Sequence, residues 1–106
     1  MKLSGLFRPR WKHSNPAVRQ AAVRRISDQD LLAEIANRDE DSDVRALAVE
    51  RLRDQATLAE FAKGDPNWNV RRLAVERLQD QDLLAEIATR DQLESVRRAA
   101  AMRIED

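Results

Sequence analysis

Four arginines recur at one interval. Arg19, Arg45, Arg71 and Arg97 lie 26 residues apart, each preceded by a valine. A second row, Arg25, Arg51, Arg77 and Arg103, keeps the same interval. Rows of guanidinium groups can read phosphates. An equally regular row of Glu34, Glu60 and Glu86 offers acids for proton transfer or for a metal ion. The placement argues against both chemistries. At roughly 100° per residue, Arg71 falls between Leu78 and Val75, and Arg77 between Leu73 and Val70, inside the apolar arc of a helix. An arginine there packs its stem on the core, and its fork must meet a carboxylate, because an unpaired buried charge is costly. Asp39, Asp65 and Asp91, together with Asp28, Asp54 and Asp80, are the expected partners. The glutamates stand one repeat apart, about 10 Å in a helical stack, too far for one metal ion to bridge. They read as a solvated face.

Other catalytic groupings are missing. His13 is the sole histidine and there is no cysteine, so neither a triad nor a zinc or iron–sulfur site can be assembled. A surface or capping role suits His13. The five serines and two threonines lie in no glycine-flanked elbow, and the two glycines form no phosphate-cradling loop. The expectation is a chain that is not an enzyme and needs no cofactor or metal.

Binding is better served by positions that vary while the frame repeats. On the outward arc of the valine–arginine segments these are Pro16/Ser42/Trp68/Glu94, Gln20/Ala46/Arg72/Arg98, Arg24/Glu50/Glu76/Met102 and Ser27/Arg53/Gln79/Glu105. The rows read as free of core duty. Trp68 stands where its sisters are Pro and Ser, and with Arg72 and Arg98 it forms a tryptophan–arginine group of the kind enriched at interface hot spots. Arg24 and Arg53 lie at its edges. Packing of Trp68 across the preceding loop is the structural alternative.

These residues are positioned by a repeat. Ala22, Ala48, Ala74 and Ala100 fall in the same register, as do Asp28, Asp54, Asp80 and Asp106. A period in this range marks stacked supersecondary units. The units are 15–40, 41–66, 67–92 and a half unit, 93–106, forming one domain behind a basic cap segment, 1–14. Each unit reads as two short helices. Asn15, Asp41 and Asn67 cap the first, with Pro16 at a first-turn position where no N–H is needed, and Leu93 leaves the fourth start weakly signalled. Asp28, Asp54 and Asp80 cap the second, for instance over roughly 81–89. Gly64 is expected to end the middle one, with Pro66 as the stop. Helices this short need neighbours to hold them. No strand pattern occurs. Leu3, Leu6, Phe7 and Trp11 read as a cover for the first unit, Leu6 falling in register with Leu32, Leu58 and Leu84. At the other end Met102 and Ile104 either finish the stack or lead into more chain.

Hydrophobic residues make up 42% of the 106, enough for a core, and only 4% are aromatic, so that core is aliphatic. No apolar run suits a membrane span or a secretory signal, and a cytoplasmic location is expected. The net charge of zero hides an asymmetry. Residues 1–27 carry seven basic side chains and no acid, while residues 28–106 carry 12 basic and 19 acidic ones, a net of −7. A basic end on an acidic body can meet nucleic acid, an acidic partner, or the end of a second copy. Arg8, Arg10, Trp11 and Lys12, with Arg24 and Arg72, are the residues a nucleic acid would use.

The pattern Asp/Asn-x-x-Val-Arg-x-x-Ala-x-x-Arg-Leu/Ile, then Asp, then Leu-Ala-Glu-Ile/Phe-Ala, resembles the HEAT-like helical repeats over residues 15–106. The short unit brings it close to leucine-rich-variant repeats. The opening GLFRPRWKHSNPAVRQAAV resembles the start of a family of large bacterial cytoplasmic proteins whose role is unassigned. The HEAT-like resemblance implies an all-α fold, a right-handed α-solenoid of two-helix repeats with the valine–arginine helices on the concave side. It also implies a scaffold or adaptor that binds a protein partner. Relatives that hold iron–sulfur clusters, di-iron centres or DNA need cysteines, His-Glu pairs or a strongly basic face, none of which this chain has.

Overall fold

The computed structural model describes residues 9–105. A 3-10 turn, Arg10–Lys12, leads into seven helices: α1 (Pro16–Val23), α2 (Gln29–Arg38), α3 (Ser42–Arg51), α4 (Gln55–Gly64), α5 (Trp68–Val75), α6 (Gln81–Arg90) and α7 (Glu94–Met102). The fold is all-helical, with no strand among the described residues. The capping residues set the starts. Asn15 accepts from the Ala17 amide, Asp41 from Asp43 and Val44, and Asn67 from Asn69 and Val70. Asp28, Asp54 and Asp80 do the same for α2, α4 and α6. Leu93 has no such group, and α7 starts without a side-chain cap.

One expectation holds at a helix end, and another, on the outward rows, needs correction. Gly64 is the last residue of α4, as expected, and it ends the helix without a positive φ. The helix stops because Asp65 turns extended, as Asp39 and Asp91 do after α2 and α6. The rows described as free of core duty are not uniformly so. Ala46 is buried on α3, whose Val44, Ala48 and Val49 are buried too, so this helix is enclosed on more faces than its sisters.

The odd-numbered helices touch in sequence, α1 on α3, α3 on α5 and α5 on α7. Each even-numbered helix packs on the helix that follows it: α2 on α3, α4 on α5, α6 on α7. The core runs along this row and is aliphatic, with Leu32, Leu52, Leu58, Leu78 and Leu84 fully buried between helices and Phe61 the one buried aromatic among the described residues. Extents of 61 × 22 × 17 Å and a radius of gyration of 15.5 Å, against about 13 Å for a close-packed chain of this length, describe an elongated arrangement. No helix among the described residues is long and apolar enough to cross a membrane. The proposed cover residues Leu3, Leu6 and Phe7 lie outside the described residues. Trp11 is half-buried and packs against the core.

Candidate functional site

The arginines of the first row are structural, and their geometry repeats. Arg19 meets Asp39 through Nε at 2.9 Å and Nη2 at 3.1 Å, while Nη1 donates to the His13 carbonyl at 2.8 Å. Arg45 grips Asp65 at 3.1 and 3.2 Å and donates to the Asp39 carbonyl at 2.9 Å. Arg71 grips Asp91 at 2.9 and 3.2 Å and donates to the Asp65 carbonyl at 2.9 Å. Each aspartate therefore offers its carboxylate to one arginine and its carbonyl to the next. Its Oδ1 also accepts the amide two residues on, that of Asp41, Asn67 or Leu93. The expected partnership with Asp39, Asp65 and Asp91 holds.

These pairs lie in the protein interior, with Arg19 and Asp65 each only 7% exposed. The Asp39 carboxylate, through its hydrogen bonds, raises the Arg19 pKa further against the lowering effect of burial. Burial alone would raise the Asp91 carboxyl, but the bonds from Arg71 and from the Leu93 amide outweigh it and hold the group below its ordinary value. At Asp54 the Thr57 hydroxyl, at 2.7 Å, is the chief cause of a lowered carboxyl pKa.

The second arginine row departs from expectation. Among the described residues Arg51, Arg77 and Arg103 meet no carboxylate; each donates to a backbone carbonyl of the preceding unit, Ile26 at 2.9 Å, Leu52 at 2.7 Å and Leu78 at 2.5 Å. Asp28, Asp54 and Asp80 are occupied as helix caps and supply no partner to them. The carbonyls win because each helix before them ends at that point, leaving acceptors that no intrahelical amide reaches. Sequence reasoning missed a third row. Gln29, Gln55 and Gln81, the first residues of α2, α4 and α6, each clamp the next unit with two bonds. Gln55 donates to the Arg77 carbonyl at 3.0 Å and accepts from the Gln79 amide at 2.9 Å. Gln29 and Gln81 make the corresponding bonds to Arg51 and Arg53, and to Arg103 and Glu105. Their equal spacing was the available signal.

The residues proposed for binding lie apart from this framework. Trp68 opens α5 and is 45% exposed. Arg72, one turn on, is half-buried and held on both sides, by Glu76 at 2.6 Å and by Asn69 at 2.7 Å. Arg98 takes the equivalent place on the neighbouring α7 and pairs with Glu94 at 2.9 Å. The register thus gathers Trp68, Arg72 and Arg98 on two touching helices. It does not bring in Arg24, which ends α1 beyond α3, nor Arg53, which follows α3 at the opposite end from the Trp68 start. Both are exposed.

Of the basic amino-terminal residues, Arg8 lies outside those described. Arg10, Trp11 and Lys12 share the 3-10 turn, where the Lys12 ammonium sits 5.0 Å from the Trp11 ring centroid. Trp11, Lys12, His13, Arg38 and Asp39 line an open groove of about 700 Å³ against α2. His13 accepts the Asn15 amide at 3.0 Å. Among the described residues no group of three or more His, Asp or Glu side chains could hold a metal ion, and no buried polar side-chain atom lacks a hydrogen-bond partner.

Comparison with protein-family models, with curated proteins and with solved structures finds no match to the chain.

Proposed function

We propose that the chain is a non-enzymatic interaction module, a cytoplasmic scaffold or adaptor built as a right-handed α-solenoid of HEAT-like repeats, which binds a protein partner on its odd-numbered helices. The observation that carries this reading is the Trp68 surface. A large, exposed ring stands beside an arginine fixed by two hydrogen bonds, so little side-chain freedom is lost on binding. Packing supports the choice of concave side. The odd-numbered helices touch one another along the row, whereas the even-numbered ones pack chiefly on the helix that follows. The inner row of a curved stack is the more closely packed, which favours the odd-numbered helices for the concave side. Trp68, Arg72 and Arg98 form the site, and Arg24 and Arg53, set apart from them, are left out of it.

Electrostatics favour a protein over a nucleic acid. Glu76 balances Arg72 and Glu94 balances Arg98, which leaves little net charge for a phosphate backbone to neutralise. At the amino-terminal turn, Lys12 lies over the Trp11 face that a base would need for stacking.

The test is capture of partners from source-cell lysate by the chain and by a Trp68→Ala/Arg72→Ala variant, with and without nuclease. A protein retained after nuclease and lost from the variant supports the reading. Equal capture by both removes this surface from the function. Proteins that vanish with nuclease move the function to Arg10, Trp11 and Lys12.

A further inference from the structure

Clefts open between the last turns of the even-numbered helices, which pack chiefly on the helix that follows each. Every residue lining the cleft between α2 and α4 has its counterpart, 26 residues on, in the cleft between α4 and α6. The frame of the two clefts is the same, so the residues that differ are free to serve something else. Asn37 becomes Lys63, and Gly64 becomes Arg90. The aspartates in both are already held, Asp39 by Arg19, Asp65 by Arg45 and Asp91 by Arg71. What remains in the first cleft is the carboxylate of Glu60. In the second it is Glu86 with two cations, Lys63 and Arg90. Neither cation makes an ion pair among the described residues, although Glu86 stands four residues before Arg90. The two clefts therefore carry opposite net charge. Gly64 is not required by the fold: its φ is not positive, and a Cβ there would meet nothing within 4 Å. Its missing side chain leaves open the cleft that Phe61 and Pro66 line.

We propose that the two clefts form a second docking surface, independent of the one around Trp68, for an extended acidic segment of a partner protein. The segment carries paired carboxylates and an apolar residue on one side of them. The carboxylates meet Lys63 and Arg90 in the cleft of about 500 Å³ between α4 and α6. The apolar side chain enters the Gly64 opening against Phe61 and Pro66. Neighbouring clefts are one helix spacing apart, about 10 Å, which an extended chain covers in about three residues. Glu60 repels a carboxylate from the first cleft, so charge fixes which way the segment lies. A nucleic acid is a poorer occupant, because its evenly spaced phosphates would also pass Glu60 and Glu86.

The experiment is an NMR titration of the full chain with the end-capped peptide Leu-Ser-Ser-Glu-Glu-Ser-Ser-Leu, whose symmetry serves either chain direction. Control peptides replace both glutamates by glutamine or both leucines by serine. Two protein variants, Lys63→Asn/Arg90→Gln and Gly64→Leu, change exposed positions only, and their helicity is checked first. Amide shifts should centre on residues 63–66 and 90–92. Removing the glutamates or the two cations should each weaken binding about fivefold or more, with no further loss when both are removed. Gly64→Leu fills the apolar seat and should weaken binding about threefold or more, as should replacing the leucines. The proposal is overturned by absence of shifts at millimolar peptide, by equal affinity of the glutamate and glutamine peptides, or by a Gly64→Leu variant that binds as the parent does. Shifts centred on Arg10–Lys12 would overturn it too. Inorganic phosphate that gives the same shifts at the same affinity would make the cleft a small-anion site instead.

Discussion

The consequences of a single side chain are largest at Arg45 and Asp65. Both are enclosed, and Asp65 serves three donors: the Nε and Nη2 groups of Arg45 and the Asn67 amide. Removal of Arg45 leaves a buried carboxylate without its counter-charge. Arg45→Met is therefore expected to destabilise the chain by about 3 kcal/mol in urea unfolding. Adding Asp65→Leu should restore part of that loss, since an apolar pair avoids the desolvation cost, but not all of it. The Asn67 amide then loses its acceptor, at about 1 kcal/mol. Full additivity of the two changes would exclude the coupling. The pH response has a definite sign. Asp91 titrates below its ordinary value in the folded chain, so its contribution is complete above a pH of about 3.9 and is lost as pH falls through the folded pKa. Thermal unfolding should show the parent chain approaching the stability of Asp91→Asn only under acid conditions. Arg19 is shifted upward, so its contribution persists throughout the neutral range and adds no alkaline transition there.

At the scale of the helix, the caps and clamps decide how units join. The expected starts of α1, α3 and α5 follow from Asn15, Asp41 and Asn67 because capping is a contact between residues two or three apart. The glutamine clamp spans 22 and 24 residues, and only the placement of the next unit shows what Gln55 reaches. Gln55→Ala removes one donor and one acceptor from the joint between α4 and the turn after α5. A loss of about 1–2 kcal/mol is expected, with the circular dichroism of the folded state unchanged. A loss no greater than that of an exposed control such as Gln92→Ala would show the clamp to be replaced by water without penalty.

The molecule as a whole is a row in which most helices touch only their neighbours. If stability is a sum of neighbouring interfaces, it should not be uniform along the row. Amide exchange is expected to be slowest in α3, α4 and α5, which are covered on both sides. It should be at least about tenfold faster in α7, where Ala101 and Ile104 are open. Uniform protection would mean a single cooperative unit and would count against the stacked-repeat reading. The charge-balanced Trp68 surface also predicts partner binding that changes little with salt, whereas phosphate binding by the amino-terminal turn would weaken steeply.

Local chemistry was legible in the sequence alone. The helices, their caps and the pairing of Arg19, Arg45 and Arg71 with aspartates follow from spacing, side-chain type and the cost of an unpaired buried charge, all of which act within one unit. What only the tertiary structure decided concerns contacts between units. It gave Arg51, Arg77 and Arg103 to backbone carbonyls rather than carboxylates, assigned the three glutamines to the joints, and buried Ala46 on a row that the helix wheel left outside the core. It also separated Arg24 and Arg53 from Trp68. A wheel describes one helix, whereas these outcomes depend on which atoms the neighbouring helix presents and how closely it lies, and that is fixed only when the row is assembled.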